Sequence, residues 1–175
     1  MTVVDMKAAF DGIQREAFRL EQLQSYGGVP GPEWEAWKAG KPFPVITPEN
    51  NPWLKRVARH IAAGRRVYQV SIIEWPLTDY RRYELAGWPM AAAVGAEYYL
   101  VDRDAHLDLA ELTVDFWMYD EQRVAVMRYD EQERFVGAED PIDSIKTYIA
   151  RRDLAMKYAV PLEQWMSEHQ DRLSD

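Results

Sequence analysis

The sequence predicts an α+β fold of α/β-like character: a mixed β-sheet of about five strands covered by helices, with a long C-terminal helix. Runs rich in β-branched and aromatic residues, such as RVYQVSIIEW and AEYYLVD, read as strands. Amphipathic stretches with capping residues fall between them. The resulting order of helix, strand, two helices, strand, helix, strand, hairpin and helix suits a sheet with helical cover better than a bundle or a sandwich. With 175 residues, 47% hydrophobic and 29% charged, the chain is long enough to bury a sizeable core as a single domain over 1–175.

The first segment, VDMKAAFDGIQREAF, places Met6, Phe10, Ile13 and Ala17 at helical spacing. In FRLEQLQSY, Phe18, Leu20 and Tyr26 fall at even spacing, as on one face of a strand. The Gly/Pro-rich run at 26–32 breaks regular structure. Pro32 then suits a first helical turn and Gly40 a stop, giving a short helix with Trp34 and Trp37 on one side. Four prolines in the twelve residues KPFPVITPENNP make that stretch a loop, and 41–51 is the one linker-like segment. Asn51 as N-cap and Pro52 as first helical residue open a clear helix that ends at Gly64, with Trp53, Leu54, Val57, Ala58 and Ile61 as its apolar face.

RVYQVSIIEW follows as a strand covered on both faces. Thr78 caps a helix over 79–86 that ends near Gly87-Trp88-Pro89. DFWMYD and RVAVMRYD form a tight hairpin about Glu121-Gln122. Asp140-Pro141 opens the long final helix, divided near Pro161.

The chain has no cysteine, which excludes disulfides and thiol chemistry. No apolar run approaches the roughly 18 residues of a membrane span, and no signal-like region opens the chain, so a cytoplasmic protein without membrane attachment is expected. A net charge of −8 argues against direct nucleic-acid binding. The charge is uneven: residues 51–103 carry eight Lys/Arg against five Asp/Glu, whereas 104–175 carry eight against seventeen. A basic middle allows an anion site, and an acidic C-terminal part allows a basic partner. Seven Trp and ten Tyr either line an interface or pocket or fill an aromatic core.

No motif names a reaction. Glycine-rich phosphate loops and the G-x-S-x-G elbow are missing. Among the serines Ser25, Ser71, Ser144, Ser167 and Ser174, only Ser167 has a histidine nearby, and His169 two residues on lies off its helical face. The histidines His60, His106 and His169 form no metal pair, and His60 suits a helix C-terminus. Asp102, Asp104, His106 and Asp108 alternate as a loose oxygen-rich cluster without the glycine and glutamate of a calcium loop. No metal and no cofactor is expected. Asp115 and Asp120 bracket a strand and read as strand-end residues.

The stretch WPLTDYRRYEL at 75–85 has the best physical case for a site. It joins the C-terminal end of a central strand to a helix N-terminus, where ligands and anions gather in open α/β sheets. Arg81 or Arg82 would clamp an anion and Tyr80 or Tyr83 would stack beside it, although Asp79 competes for the same positive helix end. A plain capped helix with two solvated arginines is the competing account.

AFRLEQLQSY, the AAGRRV turn into a strand, PLTDYRRYEL, DFWMYD and RRDLAMKYAVPLEQW, taken in order, resemble an uncharacterised actinobacterial domain-of-unknown-function family over about residues 10–165. The likeness rests on Phe18, Leu20, Glu21 and Tyr26, then on Pro76, Leu77, Asp79, Tyr80, Arg82 and Tyr83, then on Asp115-Phe116-Trp117 and Asp120. The family's usual Gly-Glu is interrupted here as Gly95-Ala96-Glu97. The resemblance implies a partner, since such proteins are commonly encoded beside helix-turn-helix regulators. The element order is also similar to half of a phospholipase-D-like fold. That superfamily's H-x-K motif is absent, because His60, His106 and His169 are followed two residues later by Ala62, Asp108 and Asp171.

The expected function is therefore a non-catalytic cytoplasmic binding module with a regulatory protein partner, such as a helix-turn-helix regulator. A small anionic ligand would sit at Tyr80, Arg81, Arg82 and Tyr83. The alternative is an enzyme of specialised metabolism whose Asp79, Tyr80, Glu84 and Asp115 converge only in the fold.

Overall fold

The computed structural model describes residues 3–27 and 31–173. Its elements are α1 (Met6–Asp11), β1 (Glu16–Glu21), α2 (Gly31–Lys38), α3 (Pro52–Ala62), β2 (Arg66–Ile73), α4 (Asp79–Ala92) and β3 (Glu97–Asp102). After two 3-10 turns come β4 (Phe116–Tyr119), β5 (Arg123–Tyr129), β6 (Phe135–Glu139), α5 (Ile145–Tyr158), β7 (Val160–Pro161), α6 (Leu162–Glu168) and α7 (Gln170–Leu173). The strands form one mixed sheet in the order β6-β5-β4-β1-β2-β3-β7. β1, β2 and β3 run parallel side by side, and the flanking strands are antiparallel.

Because β1, β2 and β3 follow one another in a single direction, both crossovers carry their helices to the same side. Val57 of α3 packs with Val67 and Ala96, and Leu85 and Trp88 of α4 pack with Ile73 and Leu100. Tyr148 and Ala155 of α5 cover the opposite face over Phe18, Val70 and Phe116. With both faces covered, seven of the eight residues of β2 are buried. The cap residues behave as their chemistry requires: Asn51 Oδ1 accepts from Leu54 N at 3.0 Å and Thr78 Oγ1 from Arg81 N at 3.1 Å.

The sheet has seven strands where about five are expected from sequence. The two additions give little signal: β6 reads FVGAE and buries only Ala138, and β7 is a two-residue edge strand ending in proline. Helix α1 stops at Gly12, so Ile13 and Ala17 of the helical stripe lie beyond it, Ala17 within β1. β1 ends at Glu21 and leaves Tyr26 outside the strand. Helix α4 continues through Gly87 and Pro89 to Ala92. Gly87 is there for space: a Cβ would lie 2.7 Å from Phe43 Cζ. The helix α5 starts at Ile145 after Ser144, so Asp140-Pro141 lies before it. The hairpin turn uses left-handed backbone at Asp120 and Glu121, and Asp120 binds the N–H groups of Gln14, Arg15 and Glu16. The 3-10 turns at Arg103–Ala105 and Leu107–Glu111 undo the alternation of Asp102, Asp104, His106 and Asp108.

Candidate functional site

Alternate residues of the three parallel strands carry polar groups on the face beneath α3 and α4. Pairing aligns Trp117, Arg19, Gln69 and Tyr98 in one row across the sheet, and Glu21 beside Ser71 in the next. Above this floor, α4 turns Arg81 inward, with its side chain fully buried. Arg81 Nη1 donates to Glu21 Oε2 at 3.2 Å and to Glu84 Oε2 at 2.5 Å, while Nη2 donates to the Leu23 carbonyl. Glu21 Oε2 also accepts from Ser71 Oγ at 3.0 Å and Gln69 Nε2 at 3.2 Å, and Arg19 Nη2 stands 2.6 Å from Glu21 Oε1. Two arginines and two carboxylates thus interlock on the sheet.

Between this floor and the helices lies a chamber of about 220 Å³. Glu84, Gln69 and Arg19 give its polar wall, and Phe43, Tyr80 and Tyr83 are among its rings. The proline-rich 41–51 segment forms one side: Phe43 packs 4.7 Å from the Tyr83 ring, and the Ile46 N–H meets Met90 Sδ at 3.3 Å. A groove of about 390 Å³ at the β3–β7 edge is larger, but it is walled by Pro89, Ala92, Pro161 and Met166 and gathers no comparable polar cluster. Chemistry therefore favours the smaller chamber.

The two carboxylates are driven apart. Burial would raise Glu21, but the charges of Arg19 and Arg81 outweigh it and hold its carboxyl below the usual range. For Glu84, burial dominates; Arg81 opposes it, Glu21 reinforces it, and the carboxyl is pushed up to about 7. Glu84 Oε1 has no hydrogen-bond partner among the described residues. Burial also raises the hydroxyls of Tyr80 and Tyr98 well above the usual range, with nearby glutamates adding to it.

The sequence-derived site residues scatter around this chamber. Tyr80, Tyr83 and Glu84 line it. Arg81 supports its floor with a guanidinium committed to two carboxylates and a carbonyl, so it is no solvated clamp. Arg82 points elsewhere, toward the Leu173 carbonyl at 3.4 Å. Asp79 is exposed in the first turn of α4. Asp115 is buried behind the chamber; it accepts from Tyr26 at 2.6 Å, Tyr129 at 3.1 Å and the Gln22 N–H at 2.8 Å, and burial raises its carboxyl. The Tyr26 ring links it to Tyr80, 5.5 Å away.

Among the serines, Ser71 is buried against Glu21, and Ser174 lies outside the described residues. His169 bonds Asp102 at 3.1 Å and stacks on Trp165, and His106 stacks on Tyr158 at 3.7 Å. His60 is buried at the end of α3 and held below its ordinary value, chiefly by burial. Among the described residues no group of three or more His, Asp or Glu is arranged to hold a metal, and no helix is long and apolar enough to cross a membrane.

Sequence reasoning missed Arg19, Gln69, Ser71 and Tyr98 as members of the cluster. The signal was present as Arg19 and Glu21, two residues apart in β1 and opposite Gln69 and Ser71 in the next strand. A family model described as a domain of unknown function (DUF6879) matches residues 4–167. The chain belongs to this family. The matched span contains every residue of the DUF6879 chamber described above. No curated protein and no solved structure matches the chain.

Proposed function

We propose that the chain is a non-catalytic binding module that holds a small molecule in the central chamber and relays its presence to a protein partner. One observation carries this reading: the charged floor is compensated from within. Glu21, Arg19, Arg81 and Glu84 neutralise one another, and Ser71 is buried with its hydroxyl committed to Glu21. Such a floor orients a ligand without presenting an activated nucleophile. The groups left open to a ligand are Glu84 Oε1, the hydroxyls of Tyr80 and Tyr98, and the surrounding rings.

The partner reading rests on the acidic C-terminal part and on the resemblance to actinobacterial proteins encoded beside helix-turn-helix regulators. It places the module in the cytoplasm. The missing H-x-K motif agrees with a non-catalytic role for a chain whose element order is similar to half of a phospholipase-D-like fold.

A second reading, an enzyme, is favoured by Glu84 alone. A chamber carboxyl poised near neutrality beside an ionised one is the usual arrangement for acid/base work. Native mass spectrometry of the protein purified from its own cytosol separates the two. A retained compound recovered unchanged, and held at least five-fold more weakly by Glu84→Gln, supports the module. A compound converted during incubation moves the assignment to catalysis, and protein that retains nothing overturns the chamber as a ligand site.

A further inference from the structure

On the other side of Arg19 and Trp53 lies a second, more open cleft of about 420 Å³, between α1, α3 and the β4–β5 hairpin. Its charge is of one sign. Lys7, Arg19 and Arg56 line it, and no carboxylate among the described residues does. Lys7 is exposed and has no ion-pair partner among the described residues. For Arg56 the nearest carboxylate is Asp11 at 4.0 Å, and that oxygen is already held by Arg59 at 2.6 Å. Arg19 spends Nη2 on Glu21, while its Nε is buried without a partner among the described residues.

The remaining wall is aromatic apart from Met6 and Met127. Trp117 and Tyr119 stand parallel within 4°, with Trp53 at 5.7 Å from Trp117 and Phe10 at 4.6 Å from Trp53. Trp53 is 38% exposed and Phe135 50%, so large rings border the opening. Exposed rings beside Lys7, which has no ion pair among the described residues, and Arg56, whose pair with Asp11 spans 4.0 Å, favour a ligand that covers both at once.

We infer that this cleft is a binding site for a small aromatic anion, a flat ring system carrying a carboxylate, sulfonate or phosphate. The ring lies against Trp53 and Trp117, and the anionic group meets Lys7 and Arg56. The central chamber does not fit this ligand, because Glu21 and Glu84 line it and would face the anionic group. The inference stands on Lys7, Arg56 and Trp117, which do not line the chamber, and survives if the chamber proves to bind nothing.

The test compares naphthalene-2-sulfonate with neutral 2-naphthol by titration calorimetry, with the indole N–H resonances of Trp53 and Trp117 reporting location. The sulfonate is expected to bind at least ten-fold more tightly than the naphthol, to shift both indole signals, and to weaken as salt rises from 50 to 500 mM. Lys7→Gln combined with Arg56→Gln should weaken the sulfonate at least ten-fold, whereas Glu84→Gln should leave it within two-fold. Should the double variant melt early, Lys7→Gln alone, on an exposed residue, is expected to give a three-fold loss. Equal affinity for sulfonate and naphthol, or indifference to the loss of these cations, overturns the site. Loss with Glu84→Gln but not with the cation variants would place the probe in the chamber and equally refute the cleft.

Discussion

Glu84 makes the stability of this protein depend on pH in a direction opposite to the usual carboxylate. Carboxylates paired with a cation or hydrogen-bonded as ions are held below their ordinary value and stabilise the fold as pH rises; Glu84, like Asp115, is held above it by burial. In the unfolded chain its carboxyl loses its proton near 4.5, whereas in the fold it keeps it to about 7. The folded state therefore binds more protons between these values, and its advantage, complete below pH 4.5, drains away as pH climbs through 7. At 1.36 kcal/mol per pH unit the full effect is roughly 3 kcal/mol, of which roughly 2–3 falls between pH 5 and 8. The side chain is only 14% exposed, so solvent screening takes little of this.

Glu84→Gln keeps the acceptor that Arg81 uses and removes the titration. Urea unfolding of both proteins at pH 5, 6, 7 and 8, followed by tryptophan fluorescence, isolates the effect as a difference. Other titrations largely cancel, including that of His60, whose depressed value gives a slope of opposite sign. The variant should gain on the native protein by roughly 2–3 kcal/mol from pH 5 to pH 8. Parallel pH curves would refute the account of a buried carboxyl lifted by desolvation and by Glu21.

Arg81→Met strands Glu84 and the Leu23 carbonyl and takes one of two cations from Glu21; chemical unfolding at pH 7 should show a loss of about 3–5 kcal/mol, the cost of leaving buried charge unpaired. Asp115→Ala leaves the hydroxyls of Tyr26 and Tyr129 and the Gln22 N–H without their acceptor, and calorimetric melting should register about 1–3 kcal/mol. In Gly87→Ala the added methyl displaces the Phe43 ring at a cost of about 1–3 kcal/mol, against a helix gain of about 1. Global stability should thus fall by no more than about 2 kcal/mol, while amide exchange in 41–51 quickens markedly.

Much of the scaffold was legible in the residues. Asn51-Pro52 and Thr78 announced their helices because capping is local chemistry, and RVYQVSIIEW announced a strand covered on both faces by its unbroken apolar character. The failures were tertiary. Gly87 and Pro89 look like a helix end until Phe43, more than forty residues earlier, is seen filling the space beside Gly87. β6 pairs through its backbone with β5 and needs no apolar signature to do so. At the site, Tyr80, Tyr83 and Glu84 were identifiable from one helix. The inward turn of Arg81 could not be read, because the carboxylate that draws it in belongs to a strand sixty residues away. Asp115 looked like a strand end for the same reason: Tyr26 and Tyr129, which bind it, arrive from separate segments.

The chamber is built from two kinds of material, and they constrain sequence drift very differently. Its floor belongs to β1 and β2 in the middle of the sheet, where Arg19, Glu21, Gln69 and Ser71 are interlocked and any single replacement also damages the fold. Its side is the 41–51 segment, which lies outside every helix and strand and meets the rest through contacts such as the Phe43 ring on Tyr83 and the Ile46 N–H on Met90. On the proposed function, selection for a new ligand would meet an unyielding base and a rewritable wall. Across relatives of this chain, recognition would diversify through that proline-rich segment while the charged base stays as it is.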